Sequence, residues 1–185
     1  MLEKYKILRS AERHVINRNL NQAIREYERI AEQESEDPGI LNTLGDLLLK
    51  DGRRDEALAH FRRVAEIYSQ SGFLSKAIAT CKKIHHLDPR DDETNSRLIE
   101  LFSKQGLTSE AVHHLENLVQ QCQTWGQLDS ALVYQEQILN LVANRPDHYL
   151  SAARLLHQLD RVEEAEHYYL KAARLFRNQG SLNLG

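Results

Sequence analysis

The sequence contains little cysteine, proline and tryptophan. Its 185 residues include two cysteines, three prolines and one tryptophan. Two cysteines cannot form the disulfide framework of a small secreted domain. Cys81 and Cys122 fall at apolar positions of a helical pattern, so we expect buried, reduced thiols. The sequence also lacks the long polar tracts that are typical of disordered segments.

Long apolar runs are also missing, and so is an excess of charge of one sign. The longest apolar runs are only a few residues, too short for a membrane-spanning helix. The N-terminus alternates charged and apolar residues and lacks the continuous hydrophobic core of a signal peptide. We therefore expect a cytoplasmic protein without membrane insertion. The net charge of −3 gives no reason to expect a nucleic-acid partner.

The residue types that usually act in catalysis or metal binding do not occur here in the motifs that such sites require. The histidine pairs His85-His86 and His113-His114 point about 100° apart on a helix, so neither pair chelates one ion from a single face. No phosphate-binding glycine loop or exposed nucleophile turn is present. We predict no metal site, no cofactor and no enzyme activity.

What the chain does contain is a repeated helical pattern. Alanines at equivalent helix positions are separated by 34, 20, 34, 20 and 34 residues. They are Ala23, Ala57, Ala77, Ala111, Ala131 and Ala165. The glycines Gly72, Gly126 and Gly180 are spaced by 54 residues, which is one long and one short interval together. A fixed period of this kind is typical of stacked helical repeats.

This periodicity predicts an all-α, right-handed α-solenoid of about ten helices with a 54-residue super-repeat. We expect one solenoid domain over residues 1–185, in which each repeat contacts its neighbours. The predicted helical hairpins are 4–37, 38–71, 92–125 and 146–179, and the predicted extra helices are 72–91 and 126–145. The helix that begins near residue 54 is predicted to be shared, because it fits both the hairpin before it and the helix after it.

The hairpin at 38–71 also resembles a known family. Leu41, Leu44, Gly45 and Leu48, followed by Ala57 and Phe61, have the spacing W-x2-L-G-x2-Y and A-x3-F of the tetratricopeptide repeat, with leucine in place of tryptophan and tyrosine. The small residues allow two helices to cross closely. The alanine-marked repeats are similar to bacterial members of that family.

The resemblance implies a non-enzymatic adaptor or scaffold that binds a protein segment in a concave groove. The first helix of each hairpin would line this groove. The matching positions are Asn42, Thr43, Asp46, Ser96, Arg97, Glu100, Ser151 and Arg154. The carboxylate clamp that some family members use is not reproduced, because its early positions hold Leu8, Glu12 and Thr43.

The end of the sequence raises two alternatives. Leu175 and Phe176 are expected to lie on a C-terminal face that no following helix covers, and leaving such a side chain exposed forgoes roughly 1.5–3 kcal/mol. We therefore expect this chain to be the N-terminal part of a longer protein. The alternatives to a peptide-binding adaptor are a homo-oligomer joined through this face and a regulatory module of a larger signalling protein.

Overall fold

The computed structural model describes residues 2–33 and 36–182, with side chains over 6–33 and 36–179. These residues form ten α-helices and no strand. The helices are α1 Leu2–Ile16, α2 Leu20–Gln33, α3 Pro38–Lys50, α4 Arg54–Gln70, α5 Leu74–Leu87, α6 Asp92–Lys104, α7 Thr108–Thr124, α8 Leu128–Leu141, α9 Pro146–Gln158 and α10 Val162–Leu182. The all-α helical-repeat fold predicted from the sequence is confirmed for the described residues.

Glycines in the left-handed region end four of these helices. Gly52, Gly72, Gly106 and Gly126 have φ between +71° and +83°. After Gly52, the Arg53 N–H donates to the Leu48 carbonyl at 2.9 Å, which is the bond that closes a helix in the Schellman turn. Glycine populates this conformation without a Cβ clash, so each helix ends abruptly and the next begins two residues later.

The residues cluster into two compact units, Met1–Gln105 and Gly106–Gly185. The single-domain assignment of the sequence stays a prediction. In the first unit, α1 to α6 pack in chain order, each helix on the next. Gly45 of α3 lies against the fully buried Phe61 of α4, and a Cβ at residue 45 would come within 2.5 Å of that ring.

Within this unit α4 packs extensively on both α3 and α5. Phe61 serves the contact with α3, and Tyr68 meets the ring of Phe73 at the start of α5 edge-on, with 6.4 Å between ring centroids. This is the arrangement that the sequence predicts for a shared helix.

Two sets of polar bonds show that the helices of the first unit alternate between two layers. Lys83 of α5 reaches α3, where its Nζ lies 2.6 Å from Asp46 Oδ1. Arg62 of α4 reaches Asp91 at the start of α6, with 2.7 Å between Nη2 and Oδ2. The odd helices α3 and α5 therefore lie side by side, and the even helices α4 and α6 form the other layer.

The Asp91 carboxylate accepts hydrogen bonds from Arg62 and Thr94. Burial opposes its ionisation, but hydrogen bonds from Arg62 and from Thr94 outweigh that cost and lower its pKa. Its side chain also caps α6 by accepting from the Thr94 N–H. The loop between α5 and α6 is held by Asn95, which is buried and donates to the Pro89 carbonyl.

In the second unit, α7 to α10 likewise pack in chain order. Small residues line the helix contacts, and Ala131, Ala152 and Ala165 are almost completely buried. The buried Gln135 side chain of α8 donates to the His148 carbonyl at the start of α9, at 3.1 Å. This bond fixes the α8–α9 connection.

The last helix differs from the sequence prediction. By register with Gly72 and Gly126, the chain should turn at Gly180, but α10 continues as helix through Leu182. The turns at Gly72 and Gly126 are followed by helices that pack back, whereas a glycine within a helix costs only about 1 kcal/mol. Residues 183–185 lie outside the described residues.

Candidate functional site

Three of the predicted groove residues lie together on α3. Asn42 donates to Asp46 Oδ2 at 3.3 Å, and Lys83 Nζ donates to Asn42 Oδ1 at 3.2 Å. The same ammonium group lies 3.8 Å from the centroid of the Phe61 ring. Asn42 and Asp46 are therefore engaged by α5, and Lys83 supplies the charge that balances Asp46.

Beside this cluster, α1 and α3 border an open cleft of about 470 Å³ over α2. Its lining residues are Glu12, Val15, Ile16, Tyr27, Thr43, Asp46, Leu47 and Lys50. The volume lies within the range of ligand-binding pockets, roughly 300–1,000 Å³. Thr43 and Asp46 thus lie on a concave surface. Whether they contact a partner stays a prediction.

The cleft has an apolar wall with a charged rim. Ile16 is 80% exposed and Val15 is 38% exposed, although the helical pattern places Val15 in a stripe that should be buried. Tyr27 lies beneath them with its pKa raised, first by burial and then by the Glu12 carboxylate. Its hydroxyl is therefore protonated at neutral pH.

The predicted residues of α6 do not join this cleft. Ser96 and Glu100 are exposed, and Arg97 is half-buried with its guanidinium 3.9 Å from Glu93. Since α6 belongs to the even layer and α3 to the odd layer, the two sets lie in different layers of the unit. The physical reason is that one super-repeat contains three helices. Because successive helices alternate between two layers, equivalent helices one super-repeat apart lie in different layers.

The predicted residues of α9 belong to the second unit. Ser151 is half-buried and Arg154 is exposed, and neither lines the larger cavities of that unit. One cavity, of about 450 Å³, lies between α8 and α10 above the buried Tyr149. Whether Ser151 or Arg154 contacts a partner stays a prediction.

The residues of the predicted C-terminal face are on α10. Leu175 is half-buried, and Phe176 is 44% exposed.

Sequence reasoning missed most of the apolar lining of the cleft. Ile16 and Lys50 occupy the last turns of α1 and α3, where the helical pattern alone does not indicate that two ends face each other. Tyr27 is buried at an apolar position of the α2 helical pattern and also lines the cleft. The useful signal was an apolar pair, Val15-Ile16, immediately before the turn at residues 17–19.

Side chains that ligate metal ions in other proteins are scattered among the described residues. No group of three histidine, cysteine, aspartate or glutamate side chains in this part of the chain is placed to hold an ion. His85 instead bonds Asn95 Oδ1 at 2.8 Å. Burial raises the pKa of the Cys81 thiol to about 11, so it is protonated and a poor nucleophile at neutral pH.

The helices are also unlike membrane spans. None of those described combines the length and the apolar composition that crossing a bilayer requires.

Comparison with solved structures gives distant matches. MamA from Desulfovibrio magneticus RS-1, residues 41 to the end, is 16% identical, with 95% of this chain and 96% of that chain covered and a TM-score of 0.32. A MamA RS-1 double mutant is 16% identical over 96% of this chain and 97% of that chain, with a TM-score of 0.33. The Rap conjugation gene regulator of plasmid pLS20, in complex with the Phr* peptide, is 16% identical over 96% of this chain and 54% of that chain, with a TM-score of 0.43. These values are too low to transfer any function.

Comparison with protein families is more informative. No curated protein sequence matches the chain. Two models of the tetratricopeptide repeat do match, one over residues 8–72 and the other over residues 148–179. The first covers α1 to α4 and the second covers α9 and α10, so together they span about half of the chain. The chain belongs to the tetratricopeptide repeat family.

Proposed function

We propose that this protein is a non-enzymatic scaffold that binds a segment of a partner protein in the cleft between α1 and α3. The observation that carries the proposal is the cleft itself, where Val15 and Ile16 stand exposed opposite Leu47. Family membership supports protein binding as the general role. A cytoplasmic location is part of this proposal.

The lining indicates the chemistry of the bound segment. An apolar side chain would bury Ile16 and Val15, and fully burying one such side chain contributes about 1.5–3 kcal/mol. Asp46 is balanced by Lys83, whereas the Glu12 carboxylate is exposed beside the Tyr27 hydroxyl. The cleft therefore favours an apolar anchor with a basic or hydrogen-bonding neighbour.

The test is selection from a displayed library of natural protein segments. Wild-type protein should enrich segments with an apolar anchor, and Ile16→Glu should weaken the binding of the selected peptides by at least about tenfold, or 1.4 kcal/mol. Val133→Glu is the matched control, because Val133 is an exposed apolar residue on α8 of the second unit.

A second pair of variants tests the other predicted groove residues. Glu100→Arg with Arg154→Glu reverses exposed charges on α6 and α9. If either of these two substitutions, made singly, abolished binding while Ile16→Glu left it intact, the partner surface would include the helix that carries the substitution and the cleft assignment would be wrong.

A further inference from the structure

The helix pairs α2–α4 and α8–α10 occupy equivalent places in the repeat pattern. Each residue of the second pair lies two super-repeats of 54 residues after its counterpart in the first pair. The first pair lies within the first compact unit and the second pair within the second unit. The polar contacts of the two pairs can therefore be compared residue by residue.

In the first pair, the charged side chains neutralise one another. Glu28 of α2 accepts a hydrogen bond from Arg53, which precedes α4, at 3.2 Å. Arg63 of α4 is held by two carboxylates, because its guanidinium lies 2.7 Å from Glu36 and 2.9 Å from Glu66. Glu28 and Arg63 thus both have partners of opposite charge within the chain.

The counterpart of Glu28 in the second pair is Glu136 of α8, which lacks such a partner. Arg161 occupies the register position of Arg53, but its Nε and Nη2 donate to Glu164 at 2.6 and 2.7 Å. Glu136 acts on Arg161 only at longer range. Within the described part of the chain, the Glu136 carboxylate accepts no hydrogen bond and forms no close ion pair.

The counterpart of Arg63 is Lys171 of α10, and it lacks a carboxylate partner as well. The two glutamates that hold Arg63 are replaced at the corresponding positions by Asn144 and Arg174. The Lys171 ammonium instead lies over the ring of Tyr149, with Nζ 4.6 Å from the ring centroid. Among the described residues, α8 and α10 therefore present one unpaired charge of each sign.

Both of these charges line the cavity of about 450 Å³ between α8 and α10. The buried Tyr149 and the half-buried Tyr168 contribute two aromatic rings to its lining, with 6.0 Å between the ring centroids. The corresponding positions of the first pair hold Leu41 and His60. The cavity thus combines the unpaired charges with aromatic rings that the first pair does not have, and its volume is in the range of ligand-binding pockets, roughly 300–1,000 Å³.

The cavity is formed entirely within the second unit. Its lining residues come from α8, α9, α10 and the α8–α9 connection. On α10, His167 and Lys171 lie on the side opposite Tyr169 and Phe176, given about 100° per residue. The cavity is therefore separate from the exposed aromatic residues of α10 and shares no residue with the α1–α3 cleft.

We propose that this cavity binds a small zwitterionic ligand that carries an aromatic ring, of which a free aromatic amino acid is the simplest example. Glu136 pairs with the ammonium group of the ligand. Lys171 leaves the Tyr149 ring to pair with the ligand carboxylate, and the uncovered ring and Tyr168 contact the aromatic group. A ligand with a net charge would leave one of the two protein charges unpaired, which is unfavourable in a partly buried site.

The probes are L-phenylalanine and L-tryptophan, each titrated into the full chain and followed by isothermal titration calorimetry and saturation-transfer-difference NMR. At least one of them should bind saturably to one site per chain. The matched amine, 2-phenylethylamine or tryptamine, lacks the carboxylate, and the matched acid, 3-phenylpropionate or 3-indolepropionate, lacks the ammonium group. Each analogue should bind at least about tenfold more weakly than its amino acid.

Two variants assign the ligand charges to their partners. Glu136→Gln should weaken binding of the amino acid at least about tenfold and leave binding of the matched acid unchanged, because that acid has no ammonium group. Lys171→Gln should weaken binding of the amino acid to a similar extent and leave binding of the matched amine unchanged. A substitution that only disturbed the fold would weaken binding of all three ligands.

The controls separate this cavity from other surfaces. Glu166→Gln should leave binding unchanged, because Glu166 is an exposed residue of α10 that does not line the cavity. Ile16→Glu should also leave binding of the amino acid unchanged, so the cleft and the cavity can fail independently. Circular dichroism of each variant checks that the helical fold is retained.

Three results would overturn the proposal. The first is the absence of saturable binding by both amino acids. The second is a matched amine or acid that binds as tightly as the amino acid, or a Glu136→Gln variant that binds like Glu166→Gln. The third is equal or tighter binding of the N-acetylated amino acid amide, since the cavity would then hold a side chain of a peptide.

Discussion

Gly45 shows how a single residue sets the distance between two helices. Its Cα lies against the Phe61 ring, and an added Cβ would come within 2.5 Å of Cε1. Because Phe61 is completely buried, the ring has no free space to move into. This contact explains why the leucine–glycine motif of α3 requires a residue without a side chain at position 45.

Gly45→Ala is therefore expected to destabilise the protein, although alanine is the better helix former. Overpacking of a tight core costs about 1–3 kcal/mol, which exceeds the propensity gain of roughly 0.5–1 kcal/mol. Urea denaturation followed by circular dichroism measures the difference. Gly39→Ala is the matched control, because a Cβ there meets only the flexible Asp37 carboxylate at 3.2 Å. A loss of stability at residue 39 equal to that at residue 45 would contradict the explanation.

The burial of small and apolar residues could be predicted from the sequence, whereas the partners of polar residues could not. The repeat spacing predicts that Gly45, Ala57 and Phe61 are buried, and all three are. Asn95 is completely buried at the register position that Leu41 occupies one super-repeat earlier. Its role depends on the Pro89 carbonyl and on His85, which are contacts that helical periodicity does not specify.

At the scale of elements, the register predicts which helices are alike but not which face they share. α3 and α6 are one super-repeat apart, yet Lys83 links α3 to α5 and Arg62 links α6 to α4. An odd number of helices per super-repeat moves equivalent positions between layers. The groove residues predicted on α3 and α6 therefore share a register position but are separated in space.

The contact between α3 and α5 can be tested through two adjacent lysines. Lys83 pairs with Asp46 and lies over the Phe61 ring, whereas Lys82 is exposed and lies over Phe102 of α6. Lys83→Met should lower the free energy of unfolding by about 1 kcal/mol, since partly exposed ion pairs and cation–π contacts each contribute at most that amount.

Lys82→Met provides the comparison and should change the stability by less than about 0.5 kcal/mol. The difference between the two variants should shrink in 1 M salt, because the Asp46 pair is one-third to one-half exposed and therefore screened. Equal effects of the two substitutions would show that Lys83 does not hold the odd layer together.

At the scale of the whole molecule, the chain combines a continuous repeat pattern with two compact units. Periodicity predicts the ten helices, because each 54-residue register brings the same turns and alanines. It does not predict a division between Gln105 and Gly106, since the glycine turn at Gly106 is identical in kind to the turn at Gly52. Such divisions depend on how much apolar surface each pair of helices buries, and the sequence pattern alone does not give this quantity.

Because the chain forms two compact units, we expect a destabilising substitution to increase local opening mainly in the unit that contains it. In repeat proteins each element contacts mainly its neighbours, so opening of one region need not open the next. Gly45→Ala should speed amide hydrogen exchange in α3, α4 and α5 by roughly tenfold or more and change exchange in α8 and α9 by less than about threefold. Hydrogen–deuterium exchange with mass spectrometry measures both regions in one sample.

The reverse experiment uses Ala152→Leu, which overpacks a completely buried position of α9. This variant should accelerate exchange in α8 to α10 while leaving α3 to α5 nearly unchanged. Uniform acceleration of all helices by either variant would mean that the chain opens as one cooperative body, and that the two units are a feature of packing with no counterpart in stability.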